Sequence, residues 1–131
     1  MMIIRQRGES DCGIACVAML IQRYAGCPAS SSYDAARAVL FGSAKGSDTG
    51  TRDLRRALAK FGIKTAGRTV GFKPISSTNM GLEFDAIVST KVKADGWWHW
   101  LVWDGKNNVL LDPLEVPYKR PIVTHYLRIV N

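Results

Sequence analysis

The side chain best placed for covalent chemistry is Cys12. A helix is expected to begin there, because Ser10 or Asp11 offers a short side-chain oxygen to the orphan amides of a first turn. That helix should run from Cys12 to about Tyr24 and stop at Gly26, with Pro28 just beyond. From Gly13 to Ile21 it is uncharged on every face, the mark of a buried helix. Cys12 would then sit where unsatisfied N–H groups and the helix dipole create positive potential. A thiol in that field loses its proton more readily, and the thiolate is the nucleophile. The same backbone amides can hold an oxyanion during acyl transfer. Cys16 lies one turn deeper, away from that field. On its own, Cys12 also reads as a small buried hydrophobe.

A nucleophilic thiol needs a base, usually a histidine held by a carboxylate or amide. Two strand-like runs, Trp97 to Trp103 and Val109 to Asp112, flank Asp104-Gly105-Lys106-Asn107, a hairpin signal. A turn centred between Gly105 and Lys106 sets Trp103 opposite Asn108, Leu101 opposite Leu110, and His99 opposite Asp112. Directly paired residues share a face, with Cβ atoms about 5 Å apart. A carboxylate beside the imidazole fixes its tautomer and stabilises the imidazolium. A bulge would instead bring Leu111 or Pro113 opposite His99. Taken singly, His99 also fits a sheet histidine bonded to a neighbour, and Asp112 fits turn chemistry before Pro113. His125 has no comparable carboxylate in register.

These residues need a frame. Met1 to Arg5 reads as extended and Gln6 to Ser10 as a loop. Ser30 to Ser32 can cap a second helix over roughly Tyr33 to Leu40, followed by a Gly/Ser-rich loop from Phe41 to Gly50. Thr51 can cap a third helix to about Phe61, with Leu54, Ala57, Leu58 and Phe61 as its apolar stripe and Gly62 as its stop. The period then changes. Ile63 to Val70, Leu82 to Thr90, the two hairpin runs and Tyr126 to Val130 read as strands, with a loop at Ser76 to Asn79. Helices first and an antiparallel sheet after is the α+β pattern, here a buried central helix on a C-terminal sheet.

Composition bounds the function. The chain has 131 residues, 47% hydrophobic and 22% charged, as a globular domain that folds without disulfides requires. Three cysteines, Cys12, Cys16 and Cys27, are an odd number and lack zinc-knuckle spacing. No cofactor or metal is implied, and reduced thiols suit a cytoplasmic protein. The longest apolar stretch, Gly13 to Ile21, has nine residues and is too short to span a bilayer. Arg5 and Arg7 interrupt the N-terminus where a signal peptide would need a longer apolar run.

The run Gln6 to Leu20 is Gln-Arg-Gly-Glu-Ser-Asp-Cys-Gly-Ile-Ala-Cys-Val-Ala-Met-Leu. It resembles the nucleophile signature of the double-glycine leader peptidases. These are papain-like cysteine peptidases found at the N-termini of bacteriocin-exporting ABC transporters and as free-standing domains. Gln6, Asp11, Cys12, Gly13 and the small apolar helix match. A second match is His99-Trp100-Leu101-Val102, then Leu110-Leu111-Asp112-Pro113. The resemblance implies a papain-like domain over residues 1–131 that cleaves a peptide or protein substrate. It implies Cys12 as nucleophile, His99 as base and then acid, and Asp112 as the group orienting His99. It implies that the Gln6 side-chain amide joins the Cys12 backbone N–H in an oxyanion hole. Asp11 reads as the helix cap. The chain departs from the exporters in carrying no transmembrane or ATPase region, so a free-standing domain is expected. It also crowds four tryptophans, Trp97, Trp98, Trp100 and Trp103, around the histidine.

The net charge of +7 is local. Residues 51–75 carry seven basic groups and one acidic group, and the rest of the chain is nearly balanced. Arg52, Arg56 and Lys60 are spaced i, i+4, i+8, with Arg55 beside them. This strip reads either as a solvated helix face or as a docking strip for an acidic peptide, partner or nucleic-acid backbone. No aromatics interleave with it as a single-strand platform requires, which disfavours nucleic acid. Two rivals to the peptidase reading remain on residues alone: a non-catalytic peptide-binding module on the same fold, and a basic nucleic-acid-binding protein. The triad chemistry also serves amidases, isopeptidases and transferases.

Overall fold

The computed structural model describes residues 1–8, 11–41, 50–66, 70–76, 82–91, 98–114 and 122–131, with the backbone alone at 70–76, 91 and 98. Three helices come first: α1 (Cys12–Tyr24), α2 (Ala29–Phe41) and α3 (Thr51–Lys60). Five strands follow: β1 (Val70–Ser76), β2 (Ala86–Lys91), β3 (Trp98–Asp104), β4 (Val109–Leu111) and β5 (Ile122–Arg128). All pair antiparallel in the order β1-β5-β2-β3-β4, giving the α+β arrangement expected of helices packed on a C-terminal sheet.

The uncharged run does bury α1. Every residue from Gly13 to Ile21 is buried, and α1 packs against α2, α3 and β3. Gly26, at φ 68°, turns the chain out of the helix. The second helix starts four residues before Tyr33, at Ala29. The Pro28 carbonyl accepts the Ser31 and Ser32 amides, so the serines lie inside the first turn instead of capping it. Thr51 is likewise the first residue of α3. Gly50 occupies the cap, and its N–H donates to Asp53 Oδ2 at 3.0 Å. Leu54, Ala57 and Leu58 are buried as the stripe requires. Gly62, at φ 76°, ends the turn that follows.

The strands depart further from expectation. Between Ile63 and Ala66 the chain makes a single bridge, Thr65 to Ile129, residues 67–69 lie outside the described residues, and β1 is described over Val70–Ser76. β1 contains Gly71 and Pro74, which weaken a strand signal; it survives as an edge strand with a register shift between Gly71 and Ile75. β5 starts at Ile122, four residues ahead of Tyr126. The loop expected from Phe41 to Gly50, most of that from Ser76 to Asn79, and Trp97 fall largely or wholly outside the described residues.

The β3–β4 register corrects the hairpin reading. Observed partners are Val102 with Leu111, Trp103 with Leu110 and Asp104 with Val109, two residues from the expected pairing. The turn is longer than two residues because Asp104 organises it. Its Oδ1 accepts the Asn107 N–H at 3.2 Å and its Oδ2 accepts Asn107 Nδ2 at 2.9 Å. Asn108 then takes φ 55°, the left-handed region that asparagine tolerates. A shift of two preserves which side chains share a face, since strand side chains alternate with period two.

Each sheet face buries its own cluster. Ile87, Trp100, Val102 and Leu127 pack with the helices. Ala86, Val88, Leu101, Trp103 and Val123 form the second cluster. Trp100 and Trp103 therefore lie on opposite faces and are core residues.

A charged knot anchors the far end of α1. The Arg23 guanidinium reaches Asp85 Oδ2 at 2.8 Å and Asp104 at 3.0 and 3.1 Å, and the Tyr24 hydroxyl donates to Asp85 Oδ2. Gly105 donates its N–H to Asp85 Oδ1 at 2.9 Å. A Cβ on Gly105 would lie 2.5 Å from the Phe84 carbonyl carbon and oxygen, which are backbone atoms and cannot rotate away. Gly105→Ala is therefore expected to cost about 2–3 kcal/mol through forced backbone displacement. Urea unfolding should show a lower midpoint with an unchanged slope; an unchanged midpoint would contradict the close approach.

Candidate active site

Cys12 is the first residue of α1 and is half-buried. Asp11 takes the N-cap position, but its side chain makes no capping bond. Its Oδ2 instead accepts the Tyr33 hydroxyl from α2 at 3.1 Å. Gly8 packs against the same carboxylate, leaving 2.8 Å between an ideal Cβ and Asp11 Oδ2. The capping role expected of the Asp11 side chain is corrected by this tertiary partner. The first-turn amides around Cys12 are thus not taken up by that carboxylate.

His99 lies on β3 beyond the last β4 pair, on a stretch that β4 does not flank. Asp112 follows directly on β4. Continued past Leu111, the observed register makes the two residues diagonal neighbours, within reach of long side chains. His99 Nε2 meets Asp112 Oδ1 at 2.7 Å, and the two residues are only 6% and 5% exposed. The expected contact forms, although the expected direct pairing does not.

The His99 ring also lies within electrostatic reach of the Cys12 side chain. Burial alone lowers the His99 pKa. The hydrogen bond to Asp112, with the nearby Cys12 side chain and the charge of both, overcomes that and pushes it up to about 9. These partners favour the protonated imidazole. Cys16, one turn along, is fully buried, and its thiol is pushed well above the usual range by burial, then by the charges of Cys12 and Asp112. Cys27 is half-buried beside Ser31, and exposed His125 contacts Thr124. Neither joins the cluster.

The segment carrying Gln6 is stitched to the segment carrying Asp112. The Gln6 N–H donates to the Pro113 carbonyl at 2.8 Å. The Arg5 guanidinium donates to the Asp112 and Leu114 carbonyls at 2.8 and 2.6 Å. The Leu114 N–H donates to Asp112 Oδ1 at 3.0 Å, which fixes the carboxylate that faces His99. The Arg7 N–H donates to the Tyr33 hydroxyl at 3.1 Å. Gln6 Nε2 donates to the Gly8 carbonyl at 2.8 Å. Arg5 and Tyr33 were not singled out from sequence. Their partners are 107 and 22 residues away, and no local pattern encodes such contacts.

Arg52, Arg55, Arg56 and Lys60 are all exposed on α3, outside this cluster. Among the described residues, no group of three or more His, Cys, Asp or Glu side chains is arranged to hold a metal ion, and no helix is long and apolar enough to cross a membrane.

Comparison with known proteins agrees with the geometry. No curated protein and no solved structure gives a match. The family model described as the Peptidase C39 family matches residues 1–120, which include Gln6, Cys12, His99 and Asp112. With its buried helix on an antiparallel sheet and most of its length matched, the chain belongs to the Peptidase C39 family of cysteine peptidase-like domains.

Proposed function

We propose that this protein is a cysteine peptidase that hydrolyses a peptide bond through Cys12, His99 and Asp112, with Gln6 in the oxyanion hole. One observation carries the reading: His99, held by Asp112 at 2.7 Å, lies within electrostatic reach of Cys12 at the start of a buried helix. The Cys12 sulfur attacks the substrate carbonyl carbon, and a C–S bond forms. The oxygen, now negative, is held by the Cys12 N–H and the Gln6 side-chain amide. His99 gives its proton to the leaving nitrogen as the C–N bond breaks, leaving a thioester on Cys12. A water then attacks the thioester with His99 as base. The carboxylic acid leaves, and the proton returns to the Cys12–His99 pair. Asp112 holds the ring throughout and stabilises its charged form.

Alkylation tests this reading. At pH 6, iodoacetamide is expected to modify Cys12 at least about tenfold faster than Cys16 or Cys27, as read by peptide mass mapping, because Cys12 stands beside His99 at the start of α1 whereas Cys16 is fully buried and Cys27 lies outside the cluster. One equivalent of label should abolish peptide cleavage. Modification of Cys12 no faster than of a free thiol, with no shoulder below pH 8, would overturn the assignment.

A further inference from the structure

The excess charge that the catalytic cluster does not use has a shape. Arg52, Arg55 and Arg56 of α3 join Lys64 around a groove of about 830 Å³, with Ile63 and Val130 among its apolar lining. Lys60, though on the same helix and exposed, does not line it. Among the described residues, one carboxylate pairs with these cations: Asp53, at 3.6 Å from Arg56, and both of those side chains are about half exposed. Such an ion pair contributes little and exchanges readily for another carboxylate. Three of the four cations are arginines, whose planar forks bind carboxylates bidentately.

The groove lies away from the proposed nucleophile. Val130 follows Ile129, whose N–H donates to the Asp85 carbonyl at 2.9 Å, and Asp85 holds Arg23 and Tyr24 at the C-terminal end of α1. Cys12 is at the other end of this 13-residue helix, about 20 Å away along its axis.

We propose that this groove is an exosite that binds an acidic segment of the peptide substrate at a distance from the scissile bond. The identity of the ligand as a peptide rests on the peptidase reading; its acidity rests on the groove. A chain lying along both sites needs at least about six extended residues between its carboxylates and the bond cleaved. Among the described residues, the groove's lining includes no aromatic side chain on which nucleic-acid bases would stack, so a peptide is the better fit.

Binding measured without cleavage keeps this proposal separate from the catalytic one. The full chain carrying Cys12→Ala is titrated into a fluorescein-labelled 12-residue peptide of alternating Glu and Ala, and anisotropy is recorded. The expected result is saturable binding that weakens with salt and falls at least about tenfold when Gln replaces Glu. Arg55→Glu should weaken binding about tenfold, whereas Lys60→Glu, an equal change in net charge outside the groove, should change it less than about threefold. Circular dichroism checks that both exposed-site variants fold. Equal losses in the two variants, equal binding of the Gln peptide, or tighter binding of a 12-nucleotide single strand would each overturn the proposal. Acidic-peptide binding by a chain whose Cys12 is alkylated no faster than a free thiol would uphold the groove as an acidic-peptide site and sink the catalytic reading instead.

Discussion

Asp112→Ala is expected to lower turnover by about 10³–10⁴-fold at neutral pH, with a far smaller change in KM. The carboxylate is the strongest of the groups that overcome burial and raise the His99 pKa, and its bond to Nε2 holds the ring in place. Its removal leaves a buried Nε2–H without its acceptor and lets the ring turn. The His99 pKa should fall from about 9 toward its ordinary 6.5, which NMR titration of the ring protons reads directly. Asp112→Asn separates the two roles. It keeps an acceptor for both Nε2 and the Leu114 N–H, so orientation should largely recover while the raised pKa does not. The stability consequence has a definite sign. Because the folded pKa lies above the unfolded one, the stabilisation from protonated His99 is complete below about 6.5 and is lost as pH rises through about 9. Most of that pH dependence should vanish in Asp112→Ala. A variant that loses activity while its His99 still titrates near 9 would show that the carboxylate acts by some other route.

What sequence alone discloses follows the range of the physics involved. The placement of Cys12 at the start of a buried helix was legible, because an uncharged run and a terminating glycine are local signals. The His99–Asp112 contact was legible through the wrong register. A two-residue error leaves every side chain on its face, so the contact survived as a diagonal instead of a direct pair. The turn itself was not legible, because its length depends on Asp104 accepting both the backbone and the side chain of Asn107 while also holding Arg23. Asp11 shows the converse. Its position at the cap was read correctly, but a hydroxyl from α2 outcompetes the local amides for its carboxylate. The basic strip was visible as spacing along one helix. The groove was not, since it replaces Lys60 with Lys64 from beyond Gly62 and draws Val130 from the end of the chain.

Gln6→Ala should separate the chemistry of the transition state from that of the nucleophile. If the Gln6 amide holds the oxyanion, its loss should lower kcat about 10²–10³-fold and leave KM nearly unchanged, because the interaction strengthens only as negative charge develops on the carbonyl oxygen. Alkylation of Cys12 by iodoacetamide is a displacement at a saturated carbon and builds no oxyanion. Its rate should therefore stay within about threefold of wild type, since about 0.7 kcal/mol separates rates that differ threefold. The loop should keep its place, because Gln6 is tied to Pro113 through its backbone N–H and Arg5 grips the Asp112 and Leu114 carbonyls on its own account. The side-chain bond to the Gly8 carbonyl is forfeited. Parallel loss of cleavage and alkylation would mean that Gln6 shapes the nucleophile's surroundings instead. Cleavage at the wild-type rate would remove Gln6 from the mechanism and leave the oxyanion to the first turn of α1, whose amides the Asp11 side chain does not occupy.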